Sequence, residues 1–487
     1  MGAAEFPAPP VTAGGLPAAA VTAGGLPAGP QPRRMVRDII PIFRDPLAYL
    51  GGVRREFGPF VVFPTRPTPA WFVDDPDAVD RVLRANSGNY TKQTVQYGAL
   101  SLLTGDGLLT VDNPGWMTRR RQVGPAFHRS TLDRLVGCVG AAADALDADL
   151  DVRTRRVRTR VDVDGPLMRA TLDVVSRGLF SADLGRERGK PAGRRVRRTG
   201  RSGADGGDIA GAVVDGLDEV IRRATHPVRV PRSWPTPGNR RLARALATLD
   251  AAVGSAVAGR AGAPEPADPD VLDLLMASLE DPRAVRDEVV TLVVAGHETV
   301  ASAMEWATHL LAGHPSWQDR VAAEAADVLA ERTPTLGDIA RLPVARAVLD
   351  ETLRLYPPAW VITRRATADD VLGGFVLPAG TLVIISPWVR HRDPSVWAAP
   401  DVFDPDRFLG GASSPAARSR TRTAYLPFGA GPRLCIGRDF ALLEATVLLS
   451  RLALRWRLEP VPGTAVTPHP RVTVRPRGGL PLLVSPR

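Results

Sequence analysis

FGAGPRLCIG, residues 428–437, packs three glycines and a proline into ten positions. Gly429, Gly431, Pro432 and Gly437 exclude a regular helix or strand there, so Cys435 sits on a tightly turned loop. A strong helix, from about 438 to 456, begins directly after it. The cysteine is therefore expected at a helix N-terminus, where free N–H groups and the positive end of the dipole favour a thiolate. Arg433 adds a positive charge two residues earlier. A lone cysteine is most often a small buried hydrophobe. That reading suits Cys138, inside a helical Val/Gly/Ala stretch, whereas the glycines around Cys435 point to chemistry.

These two are the only cysteines among 487 residues. They cannot form a disulfide framework, which agrees with a reducing compartment, nor can they hold a zinc ion or an iron–sulfur cluster by themselves. A metal bound here would take one cysteine acting alone. Hydrophobic residues make up 44% of the chain, ample for a core. No stretch approaches the roughly 20 apolar residues of a membrane span, and the N-terminus has no secretion-signal pattern, so a cytoplasmic protein is expected. The net charge of +10 is carried almost wholly by arginine, with lysine only at Lys92 and Lys190. Two basic runs stand out, 153–160 and 186–201. The second is Gly-rich and reads as part of a mobile insert at about 185–207. It lacks the aromatic interleaving of a nucleic-acid site, so no nucleic-acid partner is expected.

Working outward, residues 1–33 are Ala, Gly and Pro with an imperfect repeat, and are expected to be disordered. The folded domain is expected over 34–487. Residues 60–75 read as two short strands around a Pro-rich turn. Helical periodicity dominates from about 76 to 360, and strand patterns return at 372–387. One long helix is framed by Asp281-Pro282 as its start and by Gly313 and Pro315 as its end. Its middle, VVTLVVAG at 289–296, is apolar on every side and should run through the interior. The fold class is thus mainly α with a small β portion.

Taken together, Phe428, Gly429, Gly431, Arg433, Cys435 and Gly437 match F-G-x-G-x-R-x-C-x-G, and the loop resembles the haem-binding loop of the cytochrome P450 family. The resemblance implies a P450-like fold, with the long helix at about 282–312 crossing over the haem. It implies haem b (iron protoporphyrin IX) as cofactor, Cys435 as the metal ligand that assists O–O cleavage, and Phe428, Gly429 and Gly437 as cofactor-binding positions. Arg433 would pair with a haem propionate.

Further segments extend the likeness. In Ala295-Gly296-His297-Glu298-Thr299, a glycine inside a buried helix suggests a close approach, and Thr299 can return its hydroxyl to the carbonyl of residue 295. Glu-Thr in a helix is common, yet the segment matches the family's (A/G)-G-x-(D/E)-T. Thr299 with Glu298 as catalytic proton-delivery pair, and Ala295 facing the haem, are then implied. Glu351 and Arg354 lie on one helical face. Such pairs are usually surface ion pairs, but these resemble the family's E-x-x-R, with Arg407 joining them in a structural network. Trp116 and Arg120 match W-x-x-x-R and would hydrogen-bond haem propionates. Arg364 is a further propionate residue, and His391 reads as packing.

The implied activity is monooxygenation, one atom of O2 entering a C–H bond. Electrons would come from a separate ferredoxin and ferredoxin reductase, since no flavin or iron–sulfur segment follows the last helix. A basic face at Arg119, Arg120 and Arg121 is expected to dock the ferredoxin. The substrate pocket would be formed by 90–110, the stretch around 220–237, Val294, Ala295 and Ala359 to Ile362. These positions are mostly apolar and suit a fatty acid, terpenoid or polyketide. A partner-independent haem-thiolate isomerase or dehydratase is the alternative, and the intact Glu298-Thr299 pair speaks against it. A nucleic-acid-binding haem protein is suggested only by the arginine excess.

Overall fold

The computed structural model describes residues 25–66, 68–181, 209–225, 231–260, 269–330, 332–409 and 423–487. The described chain is mainly helical, with the strands gathered into small sheets at its margins. Two helices, α1 (Pro32–Arg44) and α2 (Pro46–Phe57), lead into β1 (Phe60–Phe63) and β2 (Ala70–Val73), the strands expected around the Pro-rich turn. After α3 (Pro76–Asp80) and a π-helical turn at Arg81–Ala85 comes β3 (Tyr90–Thr91). The helical body follows: α4 (Val95–Thr104), α5 (Gly115–Val123), α6 (Arg129–Thr154), α7 (Asp164–Phe180), α8 (Ile209–Thr225), α9 (Pro237–Ala258) and α10 (Val271–Ser278). Strand β4 (Thr159–Asp162) interrupts it inside what the sequence showed as an arginine run.

The long helix is α11 (Pro282–Gly313), 32 residues. The Asp281 side chain accepts from the Arg283 N–H and proline occupies the first turn, as the sequence signals require. Its middle is buried because Val289, Val290, Leu292, Val293 and Val294 cover its circumference, and α7, α9, α14 and α17 enclose it. The chain continues through α12 (Pro315–Val328), α13 (Leu336–Ile339) and α14 (Pro343–Leu355). Then come β5 (Ile362–Ala366), β6 (Asp370–Leu372), β7 (Phe375–Leu377), β8 (Leu382–Ile385), α15 (Pro387–Arg390) and α16 (Asp406–Leu409). Helix α17 (Arg438–Arg455) follows the cysteine loop and passes into β9 (Trp456–Pro460), β10 (Pro468–Pro470), β11 (Val474–Pro476) and β12 (Pro481–Pro486).

Sheet register matters most at one place. The larger sheet has the order β1-β2-β8-β5-β3, and β3 pairs antiparallel with β5 so that Thr91 faces Arg365. That register puts Lys92, one step beyond β3, beside Arg364. The strands after α17 escape sequence periodicity. They are short and Pro-broken, and β12 is held by β9 and by the distant β4.

Residues 25–33 are not structureless: Pro27 and Pro30 are buried, the Ala28 carbonyl accepts from the Val62 N–H at 3.1 Å, and α1 starts at Pro32. Docking on β1 supplies the burial that this Ala/Gly/Pro composition cannot generate alone. Residues 1–24 and 182–208, the latter holding the arginine-rich insert, lie outside the described residues.

Candidate active site

The cysteine loop is shaped by one glycine above the others. At Gly431 φ is +70°, and a Cβ there would lie 1.9 Å from the Leu83 carbonyl oxygen in the π-helical turn. At Gly429 φ is +72° with open space around it. The loop closes through the Cys435 N–H donating to the Phe428 carbonyl at 3.0 Å, and Arg120 donates to the Leu434 carbonyl at 3.0 Å. Gly437 caps α17. Cys435 keeps accessible surface yet lies deep in the protein. Burial pushes its thiol above the usual value, outweighing the Gly437 N–H bonded to it and the nearby charges of Arg120 and Arg438. The expected pull from Arg433 is therefore corrected: that side chain is turned to Asp112 and Trp116, and Arg120 and Arg438 are the cations that act on the thiol.

Behind the loop, Arg354 and Glu351 are fully buried and doubly hydrogen-bonded, at 2.7 and 2.8 Å. The guanidinium also donates to the carbonyls of His391, Pro400 and Val402. Arg407 stands 3.4 Å from Glu351, whose same oxygen takes the Asp404 N–H at 2.9 Å. His391 bridges this hub to the loop. Its Nδ1–H donates to the Arg354 carbonyl at 3.1 Å and its Nε2 accepts from the Leu426 N–H at 2.7 Å. These bonds use both ring nitrogens, so His391 is a packing residue.

Beside the loop lies a cluster of cations. Arg433 donates to Asp112 at 2.6 Å and to the Val111 carbonyl at 3.3 Å, with its guanidinium 4.6 Å from the Trp116 ring centre. Arg364 donates to the Tyr97 hydroxyl at 3.3 Å and to the Thr363 carbonyl at 2.8 Å. Lys92 is buried, donates to the Leu109 carbonyl at 2.7 Å and sits 5.0 Å from the Tyr97 ring centre. Burial, then the charges of Arg364, Arg433 and Arg120, drive its amine well below the ordinary lysine value, with Asp112 as the opposing carboxylate. Three arginines around a buried lysine amine, with Asp112 the carboxylate among them, is a desolvated arrangement that favours added anions, which would in turn favour the charged amine. Sequence reading found the three arginines and missed Lys92. Its rarity among so many arginines was the available signal, but only the β3–β5 register shows where it goes.

On α11 the Thr299 hydroxyl donates to the Ala295 carbonyl at 2.6 Å. Ala295, Gly296 and Thr299 are partly accessible in a helix whose flanks are buried. Gly296 sets the approach of α7: a Cβ there would meet Val175 Cγ2 at 3.0 Å. Glu298 points elsewhere, into a cluster that sequence reading did not foresee. The Thr473 hydroxyl donates to it at 2.9 Å and Arg475 stands 3.4 Å away, with Arg475 also bound by Glu305 and Asp164. Burial raises the carboxyl, against the pull of Arg475. A small cleft reaches Glu298 and Arg475 between Leu217, Asp218 and Arg471. Within 90–110, α4 packs on α8 with Leu103 against Gly216, and of the stretch around 220–237 residues 226–230 lie outside the described residues.

The basic docking face expected at Arg119 to Arg121 is not present as such. Arg119 is turned inward, 3.1 Å from Glu288, and Arg120 serves the cysteine loop, which leaves Arg121 exposed. Among the described residues no helix is long and apolar enough to cross a membrane.

Residues 27–481 match the family model described as Cytochrome P450. The chain is 34% identical to "Cyclooctatin synthase" of Streptomyces melanosporofaciens over 454 residues, 91% of this chain and 92% of that protein. It is 33% identical to "Cyclooctat-9-en-7-ol 5-monooxygenase" of the same organism, over 92% of each chain. Among solved structures it resembles that of CYP175A1 from Thermus thermophillus, with a TM-score of 0.73 at 30% identity, covering 94% of this chain and all of that one.

Proposed function

Because the chain belongs to the cytochrome P450 family, whose members are haem-thiolate monooxygenases, we propose that it oxidises a hydrophobic, terpenoid-like small molecule with electrons from separate partner proteins. The observation that carries this reading is the pairing of one accessible, deeply set thiol with Arg433, Arg364, Arg120 and the buried Lys92 amine around Asp112. That donor set suits haem b, which offers one iron and two propionates. Cys435 would hold the iron, while Arg433, Arg364, Arg120 and Lys92, flanked by Trp116, would hold the carboxylates. When bound, the group supplies the reductive splitting of O2, with one oxygen atom going into a C–H bond and the other into water.

The protein's own residues do the rest. Phe428, Gly429 and Gly437 shape the sulfur's surroundings, and Ala295 leaves room on α11. The apolar middle of α11, with α4 and α8, excludes water from the reacting carbon. Thr299 holds a proton at its hydroxyl, and Glu298, at the end of the cleft beside Arg475, supplies the route by which it is replaced. A terpenoid is favoured over a fatty acid or polyketide by the name of the relative that acts on cyclooctat-9-en-7-ol. Electrons would come from a cytoplasmic ferredoxin and its reductase. Exposed Arg121 and Arg438, on elements flanking Cys435, offer an acidic partner a face.

The test is spectroscopic. The reduced protein with carbon monoxide should give the red-shifted thiolate band in the wild type and in Cys138→Ala, and lose it in Cys435→Ala. Survival of the band in Cys435→Ala would remove the assignment.

A further inference from the structure

The first turns of α11 carry Arg286, Asp287 and Glu288, and all three are tied to the segment that precedes α5 or to α5 itself. The Asp106 N–H donates to Asp287 Oδ2 at 2.9 Å, and the Leu108 N–H donates to Glu288 Oε2 at 3.2 Å. The other Glu288 oxygen is 3.1 Å from Arg119 Nε, and Arg286 donates to the Leu103 carbonyl at 3.1 Å. Two glycines let the loop lie flat on the helix. A Cβ at Gly105, where φ is +59°, would fall 2.2 Å from the Asp287 carboxylate, and one at Gly107 would fall 2.0 Å from Thr291 Oγ1. The far end of the loop is fixed separately, because Lys92 donates to the Leu109 carbonyl and Asp112 accepts from Arg433.

A fully buried carboxylate such as Glu288 is costly unless its bonds have a use. Here they fasten a loop that has no regular structure between residues 105 and 114. We propose that Asp287 and Glu288 are positioning residues for the substrate, pegging loop 105–112 to α11 so that the loop forms a fixed wall of the substrate cavity. This rests on the reading that 90–110 lines that cavity. The pegs act on loop order, which sets how much ordering entropy each binding event must supply. Arg119 extends the effect to α5, whose next residue, Arg120, holds the cysteine loop.

Amide hydrogen exchange on the haem-loaded enzyme, with and without the bulky apolar imidazole clotrimazole, tests both layers. In the wild type, clotrimazole should slow exchange across 105–111. Asp287→Ala should speed exchange at the Asp106 and Leu108 amides, and weaken clotrimazole binding by about tenfold, the scale of one hydrogen bond to a charged group. Glu288→Gln keeps an acceptor for Leu108 but loses the charge facing Arg119, so it should fall between the two. If clotrimazole leaves wild-type exchange in the loop unchanged, the cavity reading fails and the positioning role goes with it. If the wild-type loop is protected but both variants keep wild-type exchange, the pegs do nothing. Faster exchange with unaltered affinity would also overturn the proposal, since the wall would then not depend on them.

Discussion

Gly431 combines two demands that no other residue type meets, a left-handed backbone and contact with a carbonyl oxygen at less than van der Waals distance from any Cβ. Gly431→Ala should therefore displace the cysteine loop from the Leu83 turn and abolish haem retention. Gly429→Ala, strained in φ alone with open space beside it, should keep most of it; measured haem per protein in the two variants decides. At His391 burial pushes the imidazole to about 3. The folded value lies below the unfolded one of about 6.5, so the neutral ring's contribution is complete above that pH and is lost as pH falls toward 3. Acidification should thus cost on the order of a few kcal/mol, starting below about pH 6.5. Melting temperatures at pH 8 and pH 5 should differ less in His391→Gln than in the wild type. An equal drop in both would remove His391 as the cause.

Helix α11 shows what an element adds to its residues. Thr299 is tied to the Ala295 carbonyl, whereas Glu298, about 100° around the same helix, reaches Arg475 and Thr473. Thr299→Ala should bind haem and substrate and still consume NAD(P)H. Product per NAD(P)H should fall, with hydrogen peroxide rising in its place. General acid–base contributions are typically about 100- to 10,000-fold, and water can substitute in part. Full coupling in Thr299→Ala would exclude the proton-holding role. The helix itself was legible from Asp281-Pro282, Gly313 and its apolar middle, because caps and periodicity are local. Glu298's partners were not, because Thr473 and Arg475 arrive on a Pro-broken hairpin with no periodic signal. Arg119 and Arg120 were both expected on a docking face, and the likeness to W-x-x-x-R set only Arg120 apart. Only the packing of α5 between α11 and the cysteine loop sends one to Glu288 and the other to Leu434.

Across the whole molecule, the Arg354 guanidinium joins α14 to three separated carbonyls and to Glu351. Removing one partner of a buried ion pair typically costs about 3–5 kcal/mol. Arg354→Ala should lose that much in urea unfolding and shed haem. Arg407→Ala, a looser contact at 3.4 Å, should lose clearly less. Equal losses would show that the hub does not centre on Arg354.

The seat of Gly431 on Leu83 also orders events in time. A ribosome extends a chain at about 5–20 residues per second, so the turn at 81–85 precedes the cysteine loop by on the order of tens of seconds. Lys92, Trp116 and Arg120 emerge early as well, while Cys435, the sulfur that would anchor iron, follows some hundreds of residues later. An incomplete chain can thus gather cations for the propionates without offering the metal its ligand. Cofactor capture then waits for the cysteine loop, long after the groups around its propionates have been made.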